Sequence, residues 1–259
     1  MYPYVLEAEG ISKQFPGVKA LDKVSIKIKP GSVHALMGEN GAGKSTLMKC
    51  LIGIYHPDEG SIKIKGRPVT FSDTLQALHS GISMIHQELN LVPYMTVAEN
   101  IWLGREPARL GFVNHEQLNE QTRELLARLN IKLQPDTLVG ELSIANQQMV
   151  EIAKAVSYNA DVLIMDEPTS ALDIAHQVEV LALIQRLSRE RDLTVIAVLH
   201  DINMAARYCD HLVALRGGEM IAQGGPLELM QGPVLEQIYG IPMGTLPHPS
   251  GGAPVSFVY

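Results

Sequence analysis

Over the first 70 residues, apolar and polar positions alternate in short stretches. Tyr4 to Glu7, Val24 to Ile28 in Val-Ser-Ile-Lys-Ile, and Ser61 to Lys65 ahead of the turn-like Gly66-Arg67 predict short strands in antiparallel pairing. Inside this region Val33 to Met37 is an apolar run that ends in a glycine-rich loop, and Lys44 to Ile52 follows with helical character. Ile82 to Ile85 predicts one more strand, after which the period changes. Pro93, the capping-box spacing of Thr96-Val97-Ala98-Glu99, and helical patterns at His115 to Leu129 and Ser143 to Ser157 predict a helical insertion from about 93 to 158. Val162 to Met165 and Thr194 to Leu199 are apolar, as buried parallel strands are, and between them Asp173 to Arg191 repeats apolar residues at helical spacing. His211 to Leu215 and Glu219 to Gln223 flank Arg216-Gly217-Gly218 as a hairpin. The tail, residues 242–259, carries four prolines and several glycines and is expected to be poorly ordered.

The pattern predicts an α/β fold with helices packed on buried strands. Composition narrows it. The 259 residues are 46% hydrophobic and 19% charged, a globular profile with room for one large domain or two small ones. A chain this long buries roughly 70 to 75% of its unfolded surface and needs neither disulfides nor a structural metal. Cys50 and Cys209 match no metal-ligand or redox spacing, which fits a reducing compartment. No run reaches the roughly 18 to 20 apolar residues of a membrane span, and Met-Tyr-Pro-Tyr lacks the features of a secretory signal, so a cytoplasmic location is expected. Lys and Arg number 21 against 28 Asp and Glu, a net −7, which argues against a chain-wide nucleic-acid footprint.

The chemistry concentrates in a few places. Gly38-Glu-Asn-Gly-Ala-Gly43-Lys44-Ser45-Thr46 fits the phosphate-binding pattern G-x-x-x-x-G-K-[ST]. Chance produces it in about one chain of this length in a hundred. Here it also leaves an apolar strand and opens a helix, so backbone N–H groups and the helix dipole converge on one anion. Lys44 would reach the β- and γ-phosphates, and Ser45 would ligate Mg²⁺. The apolar strand Val162 to Met165 delivers Asp166 and Glu167 at its C-terminal end, where parallel sheets bind ligands. Asp166 would hold Mg²⁺, and Glu167 would polarise the attacking water.

With these residues in place the chain resembles the ATP-binding cassette (ABC) family over nearly its whole length. The resemblance implies a P-loop NTPase of ABC type spanning 1–259, with a mixed-sheet core, an antiparallel β subdomain and residues 93–158 as the helical subdomain. Gln87 in Ile85-His-Gln-Glu is similar to the family's Q-loop glutamine, which contacts Mg²⁺ and the attacking water. Ser170-Ala-Leu-Asp173 resembles the D-loop, and His200 the switch histidine. Phe15 is similar to the aromatic that stacks on adenine, with core packing against the first strands as the other reading. Alone, a glutamine or a histidine at a strand end is ordinarily a polar cap; their order along the chain is what carries the functional reading. The remaining histidines, among them His34, His56 and His211, have no ligand spacing and are expected to be structural or solvated.

Leu142-Ser-Ile-Ala-Asn-Gln-Gln occupies the position of the family's Leu-Ser-Gly-Gly-Gln signature, with both glycines replaced. Ser143 would cap a helix whose first N–H groups face the γ-phosphate of ATP held by another protomer. Side chains at Ile144 and Ala145 limit how closely that backbone can approach. Phe15-Pro-Gly-Val-Lys-Ala-Leu, Glu99-Asn-Ile-Trp-Leu-Gly-Arg and Ser143 to Ala155 resemble the N-terminal cassette of bacterial monosaccharide-import ATPases. Residues from about 172, including Val198-Leu-His-Asp-Ile-Asn-Met-Ala-Ala-Arg, resemble iron-siderophore, haem and cobalamin importer ATPases, and predict a hybrid joined near Thr169 to Asp173. The resemblance implies ATP and Mg²⁺ as cofactors and a head-to-tail homodimer peripheral to the bacterial inner membrane. It further implies permease subunits docked around Leu89 to Gly104, where Leu91, Val92, Met95 and Trp102 supply apolar contacts or serve the core. A periplasmic solute-binding protein would act indirectly, and nucleic acid is not an expected partner. A nucleotide-binding cassette with weak hydrolysis is the alternative. A ribosome- or nucleic-acid-directed cassette is a lesser one, lacking its usual coiled-coil insertion, zinc cysteines or basic extensions.

Overall fold

The computed structural model describes residues 2–109 and 111–259. The chain begins with β1 (Leu6–Phe15), β2 (Val18–Ile28), β3 (Val33–Met37), α1 (Lys44–Leu51), β4 (Glu59–Ile64), β5 (Arg67–Val69), α2 (Thr74–His79) and β6 (Ile82–Ile85). Then come α3 (Val97–Ile101), β7 (Ala108–Arg109), β8 (Phe112–Val113), α4 (His115–Leu129), α5 (Ile144–Val156), β9 (Val162–Met165), α6 (Ile174–Arg191) and β10 (Thr194–Val198). It closes with α7 (Ile202–Tyr208), β11 (His211–Arg216), β12 (Glu219–Gly224), α8 (Pro226–Leu229), α9 (Gly232–Tyr239), β13 (Met243–Leu246) and β14 (Val255–Val258).

A six-stranded sheet in the order β12-β11-β3-β10-β9-β6 is parallel except for β12, and a four-stranded antiparallel sheet runs β2-β1-β4-β5. The central strands β3, β9 and β10 are buried throughout because alternate residues feed two cores. Val33, Ala35, Leu163 and Val195 point to the core shared with α5 and α6, while Leu36, Ile164 and Ile196 point to the core under α1 and the antiparallel sheet. This two-sided burial is why their sequences read as continuous apolar runs. From the expected insertion, Val97, Ile101, Leu125 and Ile152 join the same core as Ile85 and Leu163.

Two expectations change and one open reading is decided. Strands β1 and β2 run well beyond the predicted stretches, because register shifts between Ala8 and Gln14 break the alternation by which the sequence reveals a strand. The tail expected to be poorly ordered instead folds: β13 and β14 pair antiparallel from Met243↔Val258 to Leu246↔Val255, and Met243 packs on the main core. For Trp102, expected either to dock a permease or to serve the core, the inward reading holds. Its indole Nε1 donates to Thr122 Oγ1 at 3.0 Å and the Arg105 guanidinium lies 5.3 Å from its ring centre, so it holds the end of α3 against α4.

His34 and His211 are direct partners across β3 and β11, with rings stacked at 5.0 Å. Ser32 Oγ donates its one proton to the Lys29 carbonyl at 2.7 Å, so it accepts from His34 Nε2 at 2.8 Å and fixes the neutral tautomer. Burial, helped by the neighbouring His211, pushes the His34 imidazole down from 6.5 to about 3. The unfolded chain therefore takes up this proton first. Stability from this site is full above pH 6.5 and is lost at about 1.4 kcal/mol per pH unit as pH falls toward the folded value. His34→Gln is expected to flatten the fall of the urea midpoint between about pH 7 and 5, above the carboxylate range; an unchanged slope would refute this account of His34.

Candidate functional site

The parallel register assembles the site. Ile85, Met165 and Ala197 are successive cross-strand partners, as are Leu36 and Val198, and Met37 and Ala214, so β6, β9, β10 and β3 all end at one sheet edge. Beyond that edge lie Gln87, Asp166 with Glu167, His200, and the loop Gly38 to Gly43. Residues distant in sequence meet there because each follows the last residue of its own strand by one to a few positions.

Within the loop, glycine is required at two points. A Cβ on Gly38 (φ 139°) would lie 2.1 Å from the Leu215 carbonyl oxygen, and one on Gly43 (φ 101°) 2.5 Å from that of Ala20. Gly43 is also the N-cap of α1, which therefore has no side-chain cap, whereas Asp73, Thr96, Asn114, Ser143, Asp173 and Asp201 cap α2 to α7. The first N–H groups of α1 remain as donors toward the cleft, the arrangement that binds phosphate. Lys44 is buried at 5% exposure, and its Nζ donates to the carbonyls of Gly38 at 2.8 Å and Glu39 at 2.9 Å. Burial holds its ammonium below the usual lysine range, opposed by the charges of Glu167 and Asp166.

Ser45 Oγ donates to Asp166 Oδ1 at 3.1 Å, a hydroxyl and a carboxylate joined as hard oxygen donors suited to Mg²⁺. Burial raises the Asp166 carboxyl; the Ser45 hydrogen bond opposes this and the charge of Glu167 adds to it. Glu167 has left-handed backbone (φ 52°), unusual for a non-glycine residue and typical of functional sites. One oxygen of its carboxylate accepts from Gln87 Nε2 at 3.0 Å and the other faces His200 Nε2 at 2.8 Å.

A cleft of about 710 Å³ brings together Phe15, Asn40, Gly41, Gly43, Lys44, Ser45, Thr46, Gln87, Glu167 and His200. Phe15 lines it while its ring meets Tyr55 edge-on at 5.1 Å, so the packing and cleft readings of this residue hold together. Val18 and Ala20 also line the cleft, and the one sequence signal for them is their place within five positions of Phe15. Two expected residues lie elsewhere. Asp173 caps α6, accepting from the His176 backbone N–H at 3.0 Å and facing its ring Nδ1 at 2.8 Å. Ser143 caps α5, accepting from Asn146 N–H at 3.3 Å. Of the two side chains that replace the signature glycines, Ala145 is buried and only Ile144, 47% exposed, stands at the surface. The steric restriction expected at this helix start therefore falls on Ile144 alone.

A family profile described as ABC transporter matches residues 21–170, more than half of the chain. The chain belongs to the ABC transporter family. Among the relatives of this ABC chain, a putative ribose/galactose/methyl galactoside import ATP-binding protein of Agrobacterium fabrum is 53% identical over 238 residues, covering 92% of this chain and 46% of its own length. A similarly named protein of Pseudomonas syringae pv. syringae is 54% identical over 220 residues, covering 85% and 42%. The chain thus spans about half the length of the curated relatives it matches. At 92% coverage the Agrobacterium alignment crosses Thr169 to Asp173, so no change of family is shown at the expected junction. Among solved structures, cbiO1 of Clostridium perfringens, part of an ABC transporter complex, has a TM-score of 0.79 at 28% identity, covering 91% of this chain and 94% of its own. A dimeric post-hydrolysis ATP-binding cassette bound to ADP and Pi has a TM-score of 0.72 at 26% identity, covering 85% and 98%. The fold is that of an ABC ATPase cassette.

Proposed function

We propose that this chain is the ATP-binding and hydrolysing subunit of a bacterial importer for a sugar-type solute. The observation that carries the reading is Glu167, clamped between Gln87 and His200 opposite Lys44 and the Ser45–Asp166 pair. Gly38 to Gly43 and the start of α1 bind the phosphates through backbone N–H groups, and Lys44 supplies the positive charge. Phe15 borders the cleft where a base would stack, with Asn40, Gly41 and Thr46 along its wall. Mg²⁺, held by Ser45 and Asp166 with Gln87 in reach, would neutralise phosphate charge. Glu167 orients and deprotonates the attacking water, His200 steadies the γ-phosphate, and Gln87 senses it.

Ser143 and Asp173 lie outside their own chain's cleft, which supports a second copy presenting them across a head-to-tail, two-fold interface. The dimeric cassette among the structural neighbours supports the same arrangement. Permease subunits would seat peripherally on the cytoplasmic side, not over the whole expected segment Leu89 to Gly104 but in the adjoining groove of about 430 Å³, which touches that segment at Asn90 and is lined mainly by Leu75, Leu78, Met84, His86, Glu151 and Lys154. Among the described residues no helix is long and apolar enough to cross a membrane; in this reading the permease subunits supply the pore. A periplasmic binding protein would select the solute without touching this chain.

Subunit complementation tests the reading. Lys44→Met disables the phosphate loop of its own chain, and Ser143→Arg the cap it offers to the partner. Each variant alone should be inactive, and an equimolar mixture should recover about a quarter of wild-type hydrolysis, because half the dimers carry one intact composite site. A mixture as inactive as its components, with wild type active, refutes the shared site. Solute class is tested in vesicles. Stimulation by a sugar-type permease is expected, while coupling to an iron-chelate permease alone would overturn the sugar assignment in favour of the likeness carried by the residues from about 172 onward.

A further inference from the structure

The C-terminal hairpin packs on the core through Met243, reaches α7 with a long Arg207–His248 contact at 3.5 Å, and is hydrogen-bonded most closely to α7 at Asn203. Asn203, in the first turn of α7, treats Ser256 of β14 as a strand would: its Oδ1 accepts from Ser256 N–H at 2.7 Å and its Nδ2 donates to the Ser256 carbonyl at 3.2 Å. The Ser256 hydroxyl adds a third bond to Oδ1 at 3.1 Å, and Ser256 is 7% exposed. Within the hairpin the Phe257 ring lies over the face of Gly244, where a Cβ would meet it at 2.5 Å. At the other end, Asp201 caps α7 by accepting from the N–H of Asn203 at 2.8 Å and of Met204 at 3.2 Å. His200 is the next residue, and its Nε2 stands 2.8 Å from Glu167. Hairpin, first turn of α7, cap and His200 therefore form one connected unit.

We propose that the C-terminal hairpin is a strap that positions His200 through Asn203, making Asn203 and Ser256 positioning residues for hydrolysis. The inference rests on the ATPase reading above. The orientation of α7 sets where His200 stands, and a shift of about 1 Å in a catalytic group can cost orders of magnitude in rate. Among the described residues the strap makes no hydrogen bond to Phe15 or the phosphate loop, so it acts on turnover and leaves ATP affinity alone.

The test uses the full chain with steady-state ATPase kinetics. Asn203→Ala removes all three strap bonds. Ser256→Pro removes the N–H that points to Asn203 rather than into the β13–β14 ladder, and Ser256→Thr keeps every bond. The first two should lower kcat about three- to tenfold with KM for ATP within twofold of wild type, and Ser256→Thr should match wild type. In a His200→Ala background, Asn203→Ala should produce no further loss, which a merely structural role would not do. An unchanged kcat in Asn203→Ala, or an undiminished drop in the His200→Ala background, overturns the strap. If wild type itself fails to hydrolyse ATP, the functional reading falls separately. The strap is then judged by the His200 imidazole NMR resonances, which must move in Asn203→Ala and stay in Ser256→Thr.

Discussion

Glu167→Gln is expected to lower ATP hydrolysis by about a thousandfold while leaving ATP binding within a few-fold of wild type, the loss characteristic of a removed general base. The substitution is nearly isosteric. The new carboxamide would keep an oxygen for one of the two neighbours of Glu167, Gln87 Nε2 at 3.0 Å or His200 Nε2 at 2.8 Å, and would lose the second acceptor oxygen and the ability to take a proton. The phosphate-binding elements, Gly38 to Ser45, make no hydrogen bond to Glu167 among the described residues, so affinity should survive. Because Ser143 stands outside its own cleft, stalled ATP should hold two chains together. Size-exclusion chromatography with ATP and Mg²⁺ should then show a dimer for Glu167→Gln and an equilibrium shifted toward monomer for wild type. Hydrolysis of Glu167→Gln within tenfold of wild type would remove the base assignment, and a monomer with bound ATP would remove the sandwich.

The site was legible because strand ends carry the chemistry. Gly38, Glu167 and His200 each follow a buried parallel strand, and a run such as Val162 to Met165 announces both the strand and the edge where it stops. The phosphate loop is legible for a second reason: Gly38 and Gly43 occupy positions where any side chain would strike backbone. What stayed hidden depends on contacts across the fold. The bulges in β1 erase the alternation that marks a strand. Nothing local to Pro242 to Tyr259 predicts order, because that order comes from β13–β14 pairing and from Asn203, 53 positions away from Ser256. Ala145 and Ile144 are equivalent as departures from a glycine pair, and only the rotation of α5 decides that one is buried and the other exposed. Trp102 stayed open between docking and core for the same reason: its partner Thr122 lies on α4, and period alone does not pair two helices.

Lys44→Met is expected to weaken ATP binding about 100-fold, roughly 2.7 kcal/mol, within the range for truncating one partner of a buried charge pair. The same change should leave the melting temperature of the free protein unchanged or raise it. Folding places this ammonium at 5% exposure, where burial depresses its ionisation, so the folded state bears a cost at every pH below the ordinary lysine value. Methionine keeps the buried aliphatic stem and removes that cost. The carbonyls of Gly38 and Glu39 lose a donor; Glu39 is exposed to water, and the cost of about 1 kcal/mol at the buried Gly38 carbonyl is offset by relief of the buried charge. Lys44→Arg should not rescue binding, since a planar guanidinium does not fit a site shaped for a compact ammonium between two loop carbonyls and the cleft. Calorimetric titration with ATP and thermal unfolding of the free protein, run side by side, separate the two effects. A parallel loss of binding and stability would mean that Lys44 is a structural residue, and binding within threefold of wild type would mean that the cleft holds its phosphates by backbone N–H groups alone.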